Sequence, residues 1–105
     1  MRAPTLTVDP AGRILTWSDD AKTLLGYSEL EAVGQLVEII IPPHLRGPHS
    51  AGFRRFVKTG QSRLPEIVTS PARHKSGAIV RLQISVKPVH GAHGEIIAVE
   101  AVMKP

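Results

Sequence analysis

Hydrophobic and polar residues alternate most clearly in the last third of the chain. Between residues 79 and 89, single polar residues separate four apolar ones, which are Val80, Leu82, Ile84 and Val86. A period of two residues predicts a strand with one apolar face. Shorter runs predict strands over 66–69 and 95–103, so we expect three strands in this part of the chain.

Two short alternating runs open the chain. Leu6 and Val8 lie between polar neighbours, residues 9–12 supply turn-forming residues, and residues 13–17 form the second run. This pattern predicts a β-hairpin, and the five strands close into one sheet only if the hairpin joins the other three. Trp17, the single tryptophan, is predicted to pack at the sheet rim or in a dimer contact.

The middle of the chain has helical spacing instead. A short helix is predicted over 20–25 and is ended by Gly26. Ser28 and Glu31 form a capping-box pattern, because each side chain can satisfy a free amide at the start of the next helix. A further helical turn is predicted near 36–40.

The longest helix is predicted over 48–58, and it contains His49. Residues three, four and seven positions later share the face of this histidine, and they are Gly52, Phe53 and Phe56. An imidazole on such a face could ligate a large flat group. It could equally be an ordinary core histidine that is hydrogen-bonded to the backbone.

Strands at both ends with helices between them predict an α+β domain, with an antiparallel sheet whose helices pack on one face. The 105 residues, 42% hydrophobic and 21% charged, suit one globular domain over 1–105. The net charge of +4 is spread along the chain, so we expect no direct nucleic-acid binding. No apolar run approaches the roughly 20 residues of a membrane span, and a cytoplasmic location is the default expectation.

Few residues indicate catalysis. The sequence has no cysteine, which excludes thiol chemistry, disulfides and cysteine metal sites. His90, His93 and Glu95 flank a glycine-rich turn, but they form no closed ligand set and suit a solvated loop. No serine–histidine–aspartate spacing is present, so we expect no enzyme.

The order of these features resembles the PAS domain, and the resemblance covers essentially the whole chain. The segments that carry it are 9–17, 21–28, 31–34, 41–42 and 75–77 with the strand that follows. The resemblance implies a five-stranded PAS fold that acts as a sensory and dimerisation module of a bacterial signalling protein, such as a histidine kinase or a transcription regulator. It also implies a homodimer through the sheet face, a small ligand between the long helix and the sheet, and a flanking output domain. The helices that often flank a PAS domain are not in the sequence, which suggests an excised domain or an isolated small protein.

The sequence leaves the identity of the cofactor undecided. The flavin and coumaroyl photosensor subgroups of this family need a cysteine, so cysteinyl photochemistry is excluded, whereas FAD is not. Residues 41–53 resemble the haem PAS domains of rhizobial oxygen-sensing kinases, in which a histidine on the long helix ligates the iron, and His49 takes that position. Ile84 and Val86 then correspond to apolar residues over the distal face, as does Leu64.

One residue departs from the haem subgroup. Where that subgroup has an arginine that contacts the bound ligand or a haem propionate, this chain has Val68, so a hydrogen-bond donor is missing. Haem, another small ligand and no ligand at all therefore remain alternatives. The predicted pocket residues are His49, Gly52, Phe53, Phe56, Leu64, Val68, Leu82, Ile84, Val86 and Val99.

Overall fold

A five-stranded antiparallel sheet forms the frame of the protein in the computed structural model, which describes residues 3–60 and 67–105. The spatial order is β2-β1-β5-β4-β3. The strands are β1 (Thr5–Val8), β2 (Ile14–Trp17), β3 (Ile67–Arg73), β4 (Ile79–His90) and β5 (Ile96–Lys104). β1 pairs with β5, so the N-terminal hairpin joins the three C-terminal strands as the sequence predicts.

β3 is longer than predicted. The sequence pattern ended this strand at Thr69, but it continues through Pro71 to Arg73. Proline lacks an amide donor and is therefore tolerated at a sheet edge, where β3 lies. Glu66, the predicted first residue, lies outside the described residues.

The short helices begin and end close to the residues predicted from the sequence. α1 is Asp19–Leu25 and α2 is Glu29–Ala32, and a 3-10 turn spans Val37–Ile40. The Ser28 hydroxyl accepts from the Glu31 amide while the Glu31 carboxylate accepts from the Ser28 amide, so the capping box is confirmed.

The long helix α3 (Arg46–Thr59) begins two residues before its predicted start. Pro48 therefore lies in its first turn, where amide groups have no partner within the helix, so the proline disrupts no hydrogen bond. Gly60, in a left-handed conformation, ends the helix as predicted.

The core lies between the sheet and the helices. Its buried hydrophobic residues come from all five strands, α1, α2 and the 3-10 turn, and they are Leu6, Val8, Ile14, Trp17, Ala21, Leu25, Ala32, Val37, Ile40, Ala72, Leu82, Ile96, Val99 and Met103. α3 contributes no fully buried residue, although Phe53 and Phe56 pack against this core.

Trp17 packs inside the core. Its indole Nε1 donates to the backbone oxygen of Tyr27 at 2.8 Å, and the two rings meet edge to face. The prediction of packing is confirmed, whereas the dimer-contact alternative is wrong because the buried ring has almost no surface to offer a partner. Within the described ranges, no helix is long and apolar enough to cross a membrane.

Candidate functional site between the long helix and the sheet

The helix α3 runs along one side of the sheet. A Cβ at Gly12, in the β1–β2 turn, would lie 3.8 Å from Cε1 of Phe53. At the other end of the helix, a Cβ at Gly60 would lie 4.0 Å from Cδ1 of Ile96, at the start of β5. Val8, at the end of β1, pairs with Val99 near the start of β5, so both contacts lie at the same end of the sheet and α3 crosses the helix-side surface of the sheet there.

We call that helix-side surface the inner face, and the opposite surface the outer face. Leu82, Ile84 and Val86 alternate along β4 and share the inner face. Val68 lies directly opposite Ile84 across the β3–β4 pair, so it belongs to the same face. The inner face also includes Val99, which lies opposite Val8 of β1.

The inner face is unevenly covered. Leu82 and Val99 are buried, and Val68 and Ile84 are half-buried. Val86 remains 41% exposed, although it is directed toward the helices. The sequence pattern places all of these residues on one face, but it does not indicate that the helices cover Val86 less than they cover Leu82.

His49 lies on α3 with a side-chain exposure of 33%. Its Nδ1 donates to the Oε2 atom of Glu38 at 3.0 Å, and its ring lies parallel to Phe53, with centroids 6.3 Å apart and an interplanar angle of 11°. The reading of an ordinary core histidine bonded to the backbone is wrong, because the partner is a carboxylate and the ring is partly exposed. Among the described residues, no hydrogen bond is made to Nε2.

Glu38 and Arg46 are candidate-site residues whose contacts the sequence did not reveal. Arg46 Nε donates to the backbone oxygens of Glu38 (3.1 Å) and Ile41 (3.0 Å). Two side chains of α3 therefore hold the segment that contains the 3-10 turn. Glu38 precedes His49 by eleven residues, which corresponds to no helix or strand period, so sequence spacing could not have linked them.

The described residues give no support for two of the predicted pocket residues. Gly52 is exposed, and a Cβ built there would meet nothing within 4 Å, so this glycine makes no close approach to a described residue. Leu64 lies outside the described residues.

The glycine-rich turn satisfies its own polar groups. His90 Nδ1 donates to the backbone oxygen of Gly94 at 3.1 Å, and the Glu95 carboxylate accepts from the His93 amide at 3.0 Å. Across residues 3–60 and 67–105, no three potential metal ligands come together.

The fold and this arrangement define a PAS domain. The family model described as "PAS fold" matches residues 1–105, and the chain belongs to this family. PAS domains are sensory modules of signalling proteins.

A curated relative supports the same assignment. The chain is 31% identical over 84 residues to the sensor protein FixL of Bradyrhizobium diazoefficiens, and the match covers 77% of this chain but 16% of FixL. The chain therefore spans about one sixth of the length of this relative.

Solved structures show the fold. A PAS domain from Colwellia psychrerythraea superimposes with a TM-score of 0.81 at 21% identity, covering 96% of this chain and 83% of that one. The PAS domain of the quorum-sensing receptor RpfR of Cronobacter turicensis, in complex with C12:0, gives a TM-score of 0.79 at 18% identity. That match covers 99% of this chain and 93% of the RpfR chain.

Proposed function

We propose that this PAS domain senses a small, mainly apolar molecule held between α3 and the inner face. The observation that carries the proposal is the exposure of Val86, because Leu82, on the same face of the same strand, is buried. Ligand pockets are mostly apolar with few polar groups, and Val68, Ile84 and Phe53 supply half-buried apolar surface here. A ligand that covers Val86 removes apolar surface from water and favours the sheet–helix arrangement that holds it.

The test compares two valines of β4. Val86 on the inner face and Val89 on the outer face are both 41% exposed, so Val86→Glu and Val89→Glu place the same charge at matched exposure on opposite faces. Thermal unfolding is followed with haem, FAD and dodecanoic acid as probes. A ligand at about 100 times its Kd stabilises the folded state by about 2.7 kcal/mol.

We expect at least one probe to raise the Tm of the wild type and of Val89→Glu, and not that of Val86→Glu. The proposal is wrong if no probe raises the Tm, or if both variants respond as the wild type does.

Haem is a specific candidate for this ligand, with His49 as the iron ligand. The support is the Nε2 atom of an imidazole whose other nitrogen is engaged, since no described residue forms a hydrogen bond with this atom, together with the resemblance of residues 41–53 to haem PAS domains. A neutral imidazole is a common haem ligand, so this donor fits the group. Haem would supply an iron that binds a diatomic gas, and Ile84 and Val86 would provide an apolar surface next to it.

Visible absorption tests the haem proposal. We expect a Soret band after reconstitution that is lost in His49→Ala and retained in His44→Ala, since His44 lies on an exposed turn outside α3. Absence of the band, or a band that His49→Ala leaves unchanged, would refute it.

We also propose that two copies of the domain pair through the outer face and that pairing relays the signal to an output domain. Ile67, Ile79 and Val89 of this face are 58%, 56% and 41% exposed. Sedimentation is expected to show a wild-type dimer that Val89→Glu dissociates and Val86→Glu preserves. A monomeric wild type would contradict this pairing.

A further inference from the structure

We propose that Glu38 is a positioning residue that prepares His49 for metal ligation. Its carboxylate holds the proton of the imidazole on Nδ1 and leaves the lone pair on Nε2. This inference rests on the haem proposal above and adds the residue that selects the ligating nitrogen.

The argument starts from hydrogen-bond chemistry. A carboxylate only accepts, so the ring nitrogen 3.0 Å from the Oε2 atom of Glu38 carries the proton. In a neutral imidazole the other nitrogen then has the free lone pair. Nε2 is therefore the atom of His49 that is ready to ligate a metal, and it has no other hydrogen bond among the described residues.

Packing on Phe53 fixes the orientation of the ring. The two rings are within 11° of parallel, so a rotation of the imidazole about its Cβ–Cγ bond would break this stacking unless it were a full half-turn. A half-turn would replace Nδ1 by a carbon and abolish the bond to Glu38. The carboxylate and the phenyl ring together leave a single orientation that satisfies both contacts.

Glu38 itself is held in place. It lies in the 3-10 turn between Val37 and Ile40, which are both buried. Arg46 donates to its backbone oxygen, and the Glu38 side chain is only 22% exposed. A second residue that orients a ligand is effective when it is itself fixed by packing and hydrogen bonds, which is the situation here.

The first experiment needs no haem. The tautomer of His49 is read from the nitrogen chemical shifts of the labelled apo-protein. His49→Ala identifies the signal. We expect the Nδ1–H form in the wild type and in Glu38→Gln, whose amide oxygen can still accept, and loss of this preference in Glu38→Ala. Glu29→Gln, at an exposed carboxylate of α2, is the matched control and should behave as the wild type.

The second experiment measures haem affinity by competition with apomyoglobin. Loss of a group that orients a metal-bound histidine typically weakens binding about 10- to 100-fold, and we expect a loss in this range for Glu38→Ala but not for Glu29→Gln. The haem affinity of Glu38→Gln should lie between those of Glu38→Ala and Glu29→Gln. This variant keeps the test valid if Glu38→Ala does not fold.

The outcomes separate the two proposals. An Nε2–H tautomer in the wild-type apo-protein overturns the role of Glu38, even if haem binds. Haem binding that is equally tight in Glu38→Ala and the wild type does the same. An Nδ1–H tautomer in a protein that never takes up haem refutes the haem proposal itself. The hydrogen bond between His49 and Glu38 would then only stabilise the packing of α3 against the 3-10 turn.

Discussion

Replacing Gly26 with alanine is expected to destabilise the protein through two separable effects. Gly26 has a φ of +85°, a left-handed conformation that costs an L-residue about 1–2 kcal/mol. The new Cβ would also lie 2.6 Å from Cε1 and 2.8 Å from Nε2 of His74, closer than van der Waals contact allows.

The second effect is large only if His74 cannot move away. Its Nδ1 accepts from the Ser76 amide at 3.0 Å, and the next residue, Lys75, donates its amide to the Leu25 oxygen at 2.9 Å. Withdrawal of the ring would break the contact with Ser76, and the Lys75 bond holds the backbone next to His74 against the end of α1, so the backbone cannot easily move away instead. Overpacking of this kind typically costs about 1–3 kcal/mol. The total expected loss for Gly26→Ala is therefore about 2–5 kcal/mol.

Gly34→Ala is the matched control. Gly34 has a φ of +90°, but a Cβ there meets nothing within 4 Å, so only the conformational cost applies. Urea unfolding of both variants should show the larger loss at Gly26, and His74→Ala in the Gly26→Ala background should remove the difference. Equal losses in the two single variants would show that the approach of His74 to Gly26 is not energetically important.

Two further predictions concern charge and coverage. The Lys75 ammonium, helped by the Ser28 amide, lowers the pKa of Glu31 from 4.5 to about 2. The stabilisation from this carboxylate is therefore fully present above about pH 4.5 and is lost as the pH falls toward about 2. Urea unfolding across this range should show that the free energy of unfolding depends less on pH in Glu31→Gln than in the wild type. In urea unfolding, Leu82→Ala should lower the free energy of unfolding by about 2–5 kcal/mol, whereas Val86→Ala should lower it by less than about 1 kcal/mol. Similar losses in the two variants would contradict the conclusion that the helices cover Leu82 and leave Val86 exposed.

Much of the fold was predictable because its signals are local. The alternation along β4, the capping box of Ser28 and Glu31, and the terminating Gly26 each depend on residues within a few positions of one another. The joining of the hairpin to the other strands is not local, and it followed from the resemblance to a known family.

The features that escaped prediction depend on tertiary position. Pro71 can lie within a strand because β3 is at the edge of the sheet. The sequence alone does not give the order of the strands, so it does not show that this strand is an edge strand. The bond between Glu38 and His49 depends on how the 3-10 turn packs against α3. The exposure of Val86 depends on how far the helices extend over the sheet, which the alternating pattern does not encode.

The pairing of β1 with β5 has a consequence for how the domain folds. Thr5 lies opposite Val102, so the first and last strands must meet before the sheet is complete. On a ribosome, β1 and β2 contribute only a two-stranded hairpin to the sheet until β5 has emerged, and isolated hairpins are marginally stable in water. Because contacts this distant in sequence slow folding, we expect the domain to gain its structure late and as one cooperative unit rather than progressively from its N-terminus.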